Sequence, residues 1–122
     1  MWKVEFAQDA TRDFELIFDH LVAAYQDFGE DPDAALERAA LRIRAIQGLA
    51  VEIGKAPYQG TLREDLLKGL RFVRRDKAVF WFVPDPDLRV VRVLAVFFGA
   101  QNHMTHMLTR LLGTVSSHRP AG

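Results

Sequence analysis

The side chains with the most chemical potential are concentrated in "GLRFVRRDKAVFWF" (residues 69–82), where Arg71, Arg74, Arg75 and Lys77 adjoin an aromatic and β-branched run ending at Phe82. Cations at this density can stabilise charge on a phosphorane, steer an anionic partner, or keep an exposed strand edge from aggregating. With Arg63 and Lys68 included, the stretch 63–77 has six positive charges against Glu64, Asp65 and Asp76. That excess attracts an anion without selecting one. Phe80, Trp81 and Phe82 are consecutive, so in a strand they point to alternate faces, whereas base-stacking platforms space their aromatics along one solvent face. The run is therefore read as sheet core.

His103 and His106 lie three apart on an expected helix and share part of one face. A metal site needs a further ligand at a recognisable spacing, and none follows, so no metal and no other cofactor is expected. Serine occurs only at Ser116 and Ser117, cysteine not at all, and the chain has no P-loop, dinucleotide fingerprint or nucleophile elbow. Nucleophilic hydrolysis and thiolate chemistry are thereby disfavoured.

The elements that must hold these groups follow from periodicity. Trp2, Val4 and Phe6 alternate with Lys3 and Glu5 as in a half-buried strand. From Asp9, read as an N-cap, Phe14, Ile17, Phe18, Leu21, Val22, Tyr25 and Phe28 keep helical spacing up to Gly29. Asp31 and Pro32 are an N-cap and first-turn pair. Leu36, Ala39, Ile43, Ile46, Ala50 and Ile53 then define a second helix, stopped by Gly54 and Pro57, and the short joint makes the two helices antiparallel. "LREDLLKG" is left open between a short helix and an irregular approach. "LRFVRR", "AVFWFV" and "RVVRVLAVFF", separated by "DK" and "PDPD", form a three-stranded antiparallel meander.

Plain alternation places Val79, Trp81 and Val83 opposite Phe80 and Phe82, and Val91, Val93, Ala95 and Phe97 opposite Leu94, Val96 and Phe98. Both faces are apolar, so the face away from the helix pair needs cover from a final helix around Met104, Met107, Leu108 and Leu111, and from a partner. The fold class is a small α+β domain over residues 1–112, followed by a flexible tail over 113–122.

Composition sets the outer limits. At 122 residues, 49% hydrophobic and 26% charged, the chain is sized for one globular core. No apolar run reaches the roughly 20 residues of a membrane span. Without cysteine or a signal-peptide pattern, a cytoplasmic location is expected. The zero net charge conceals an asymmetry: residues 1–61 hold 6 Lys/Arg against 11 Asp/Glu, a balance of −5, and residues 62–122 hold 10 against 5, a balance of +5.

The order of strand, helix pair and meander, with "GLRFVRRDKAVFWFV" leading into "VRVLAVFFGAQNH" and the "LREDLLKGLR" approach centred on Arg71, resembles the RelE/ParE superfamily of toxins from bacterial type II toxin-antitoxin modules. The match spans roughly residues 2–112. It implies a toxin held inactive by an antitoxin that wraps its surface, commonly in a toxin-antitoxin hetero-oligomer. One branch of the family cleaves messenger RNA on the ribosome, and Arg71 and Lys77 match its basic positions. Its members typically carry a His or Tyr at the end of the last strand, where this chain has Phe97, Phe98 and Gly99; Tyr58 lies far upstream. In a ribonuclease, His103 or His106 would have to supply the acid, and Glu64 or Asp65 the base.

The ParE branch instead poisons DNA gyrase by binding it and needs no proton-transfer pair. The resemblance is closer to this branch, with Arg71, Arg74, Arg75 and Lys77 as the target-binding set. Trp81, Phe97, Phe98, Met104 and Leu108 are the expected antitoxin contacts. The alternatives are a RelE-like ribosome-dependent messenger-RNA endoribonuclease using Arg71, Lys77 and His103, and a non-toxic small α/β protein-binding module.

Overall fold

The computed structural model describes residues 1–99 and 102–117. Strand β1 (Lys3–Phe6) leads into α1 (Gln8–Asp27) and α2 (Pro32–Val51), which a single 3-10 turn, Glu52–Lys55, extends. Then follow β2 (Thr61–Leu62), β3 (Arg71–Arg75), β4 (Ala78–Asp85), β5 (Val90–Phe98) and α3 (His103–Ser117). The sheet order is β1-β5-β4-β3-β2. β1 runs parallel to β5, and every other pairing is antiparallel. The α+β class and the meander of the sequence reading are present, with a short β2 added at one edge.

Helix ends show where local sequence governs. Asp31 accepts a hydrogen bond from the Ala34 N–H at 2.9 Å, with Pro32 in the first turn, as its sequence position predicts. Asp9 is not the cap of α1: the cap is Ala7, which offers no side-chain acceptor. The Ala7 N–H instead reaches the Val93 carbonyl at 2.8 Å, so the sheet sets the start of this helix. Asp9 falls in the first turn, where a carboxylate suits the helix dipole. Gly29 follows α1 at φ 98°. It supplies the left-handed residue that ends a helix without strain. "LREDLLKG" is a series of turns rather than a helix. β4 continues through Pro84 and Asp85, so the turn before β5 is Pro86–Arg89 and not "PDPD". There Asp85 accepts from the N–H groups of Asp87 and Leu88.

Helices α1 and α2 cover one face of the sheet: Phe14, Ile17, Leu21, Ala39 and Ile46 pack with Val73, Phe80, Phe82, Val91, Val93 and Val96. On the other face α3 lays the fully buried Met107 against Leu70, Val79, Trp81 and Ala95. Each large apolar side chain buried in these layers contributes about 1.5–3 kcal/mol before the entropy of ordering.

Plain alternation fails in β5. Trp81 pairs with Ala95 but Phe82 pairs with Val93, so Leu94 is an extra, bulged residue. Beyond it the faces exchange. Val96 and Phe98 join Val91 and Val93 beneath the helix pair, while Leu94, Ala95 and Phe97 lie on the α3 side. This corrects the expected grouping of Ala95 and Phe97 with Val91 and Val93. α3 runs to Ser117, past the domain end placed at 112; the rest of the expected tail, 118–122, lies outside the described residues.

Candidate partner-binding surface

The basic strand is divided by its own pleat. Arg71 pairs across to Phe82 and Arg75 to Ala78, both on the helix-pair face, whereas Arg74 pairs to Val79 on the α3 face. Arg71 donates to the Tyr58 carbonyl at 2.7 Å, its guanidinium 5.6 Å from the Tyr58 ring centre. Arg75 bonds to the Arg74 carbonyl and the Gln59 side chain. These two arginines therefore tie the 56–60 loop to the sheet. Lys77 occupies the β3–β4 turn beside Asp76, whose φ is 55°. A left-handed residue there suits a two-residue hairpin loop.

His103 stands at the start of α3 with its ring 4.9 Å from Phe72 and 5.6 Å from Trp81, centre to centre. Burial, and secondarily the charge of Arg74, hold its pKa below the ordinary 6.5. Its Nδ1 and the Nε1 of Trp81 are buried without a hydrogen-bond partner among the described residues. Asp65 binds Arg63 through both oxygens, at 2.9 and 2.8 Å. The hydrogen bond from Arg63 is the main reason that its carboxyl lies below the usual range, which weakens it as a base.

General acid-base cleavage needs its groups within hydrogen-bond reach of one reacting phosphate. Arg71 and Lys77 stand at opposite ends of β3, roughly 15–20 Å apart at a strand's rise per residue. His103 is on the far face of the sheet from Arg71. The three side chains named for a ribonuclease do not converge. Among the described residues no group of three His, Asp or Glu could hold a metal, and no helix is long and apolar enough to cross a membrane.

The five expected antitoxin contacts occupy different surfaces. Trp81 is fully buried, so with α3 in place it offers no surface to a partner: the strand pleat turns it under that helix. Phe97 lies beside His106 and Arg110 on the α3 side, and Phe98 beside Arg42 on the other. Met104 packs on the sheet and accepts a hydrogen bond from Arg63, and Leu108 is exposed. Two residues escaped the sequence reading altogether. Arg38 and Arg42 of α2, from the acidic half of the chain, line one groove with Lys77. Their four-residue spacing on one helix side was the available signal.

The fold is that of the RelE/ParE toxins. A chain of the chromosomal ParDE toxin-antitoxin system of P. aeruginosa matches 82% of this chain and 98% of its own length, at TM-score 0.59 and 18% identity. The RelBE2 toxin-antitoxin complex of Mycobacterium tuberculosis matches at TM-score 0.53 and 19% identity over 80% of this chain and 90% of that one. The isolated E. coli RelE toxin matches at TM-score 0.50 and 10% identity over 91% and 99%. No protein-family model matches the sequence, and no curated protein matches it significantly.

Proposed function

We propose that this chain is the toxin of a bacterial toxin-antitoxin pair and acts as ParE-like toxins do, arresting growth by binding and poisoning DNA gyrase in the cytoplasm. The likeness to a ParDE chain over 98% of that chain's length carries this reading. The dispersal of Arg71, Lys77 and His103 favours a toxin that works by binding over one that cleaves RNA. Lys77 and Arg74, at the β3–β4 end of the sheet, are the target-facing cations; Arg71 and Arg75 shape the loop beside them. A cognate antitoxin, in a hetero-oligomer with the toxin, covers Phe97, Phe98, Met104 and Leu108.

The RNA-cleaving reading has one specific observation in its favour. His103 has Arg74 close by, an imidazole beside a cation, the pair of groups that proton transfer and charge stabilisation at a phosphate would use. Expression of the chain alone should arrest growth, and an adjacent gene is expected to encode a short acidic protein whose co-expression relieves the arrest. Unimpeded growth of cells that contain the folded protein would refute the toxin reading in that host.

A further inference from the structure

Between the C-terminal half of α1, the first half of α2 and the β3–β4 turn lies a groove of about 730 Å³. On one wall the Arg38 guanidinium sits 4.2 Å from the Tyr25 ring centre and binds Glu30 through one terminal nitrogen at 2.8 Å. Next to it, the Arg42 guanidinium lies 5.5 Å from the Phe98 ring centre and binds Asp76 through one terminal nitrogen at 2.6 Å. Lys77 also lines the groove and makes no ion pair among the described residues. The Gly99 N–H binds the Lys77 carbonyl at 2.7 Å and fastens the turn to the end of β5.

Each guanidinium presents five donors in a rigid fork, and its internal acid here engages a single terminal nitrogen. An aromatic ring beside each fork limits its motion, so a carboxylate can be received with little further ordering. Arg38 and Arg42 are one helical turn apart, about 6 Å along the axis. Alternate residues of an extended chain repeat at about 6.6 Å. Beside these cations the groove has an apolar wall at Phe98 and at Leu41, which is 59% exposed.

We infer that this groove receives an extended acidic segment of a protein partner. Carboxylates two residues apart meet Arg38 and Arg42, a neighbouring acid or the chain terminus meets Lys77, and an adjacent apolar side chain covers Leu41 and Phe98. Nucleic-acid phosphates recur at a similar interval, but Glu30 and Asp76 offset two of the three cations and leave the set at +1. Polyanion binding by counterion release needs a larger excess. The inference rests on the toxin-antitoxin reading only for the source of the segment, which is the neutralising partner.

The test is fluorescence anisotropy with the full chain at physiological salt. The probes are a short labelled peptide with two aspartates two residues apart among leucine and tryptophan, its asparagine counterpart, and a labelled single-stranded RNA. Saturable binding of the aspartate peptide is expected, weakened roughly tenfold or more by the asparagine exchange and by either Lys77→Glu or Arg38→Gln, each with an unchanged circular dichroism spectrum. No binding of the aspartate peptide, equal binding of both peptides, indifference to both variants, or tighter binding of RNA would each overturn the proposal. Peptide binding with no gyrase inhibition would leave the groove standing and remove the gyrase reading; gyrase inhibition with no peptide binding would do the reverse.

Discussion

Replacing Asp13 by alanine should loosen the junction of three elements at once. Its carboxylate, on α1 and 4% exposed, accepts from Arg110 of α3 through both oxygens at 2.8 Å and from the Val96 N–H of β5 at 2.9 Å. Breaking a buried ion pair by deleting one partner costs about 3–5 kcal/mol. Arg110 remains 27% exposed and can partly rehydrate, which moves the expectation to the lower end of that range. The stranded Val96 N–H accounts for about 1–3 kcal/mol of this loss, a share that rehydration of Arg110 does not recover. The expected loss is thus about 3 kcal/mol, read in urea unfolding as a midpoint lowered by about 1.5–2 M at an unchanged slope of about 1.5–2 kcal/mol/M. Arg110→Met combined with Asp13→Ala should lose clearly less than the sum of the single changes, because the two act as a pair. A single-variant loss below about 0.5 kcal/mol, or strict additivity, would refute the view that this pair fastens α3 to the domain.

Two further outcomes follow from particular contacts. His103 has a folded-state pKa below 6.5, so as pH falls through that value the unfolded chain takes up a proton that the folded chain resists; stability present above pH 6.5 is lost below it. His103→Gln should therefore show a smaller loss between pH 7.5 and 5 than the unchanged chain, and an equal loss in both would contradict the half-buried position of the ring near Arg74. At Gly54 a Cβ would overlap the Trp2 carbonyl oxygen, in the same approach that lets the Trp2 N–H bond the Gly54 carbonyl at 2.9 Å. Gly54→Ala should cost about 1–3 kcal/mol in thermal unfolding, with Gly48→Ala, where nothing stands in the way, as the harmless control.

Much of the architecture was legible because local signals and burial agree. The Asp31-Pro32 helix start, the Gly29 stop and the alternation of β4 are each properties of a few neighbouring residues. What escaped depends on contacts distant in sequence. The bulge at Leu94 has no glycine or other local mark, and it alone decides that Phe97 faces α3 and Phe98 faces α2. The start of α1 is set by the bond from Ala7 to Val93, not by Asp9. The surface was less legible than the fold for the same reason. A run of basic residues in sequence is shared between two faces by the pleat, while Arg38 and Arg42 share a groove with Lys77 only because the fold brings α2 to the β3–β4 turn, where Arg42 bonds Asp76.

The central claim concerns the target, and its most direct test is purified protein assayed side by side for inhibition of gyrase supercoiling and for cleavage of ribosome-bound message. The account predicts gyrase inhibition, weakened by exchange of Lys77, and intact message. Message cleavage with unaffected gyrase would contradict it and direct attention to His103 and Arg74.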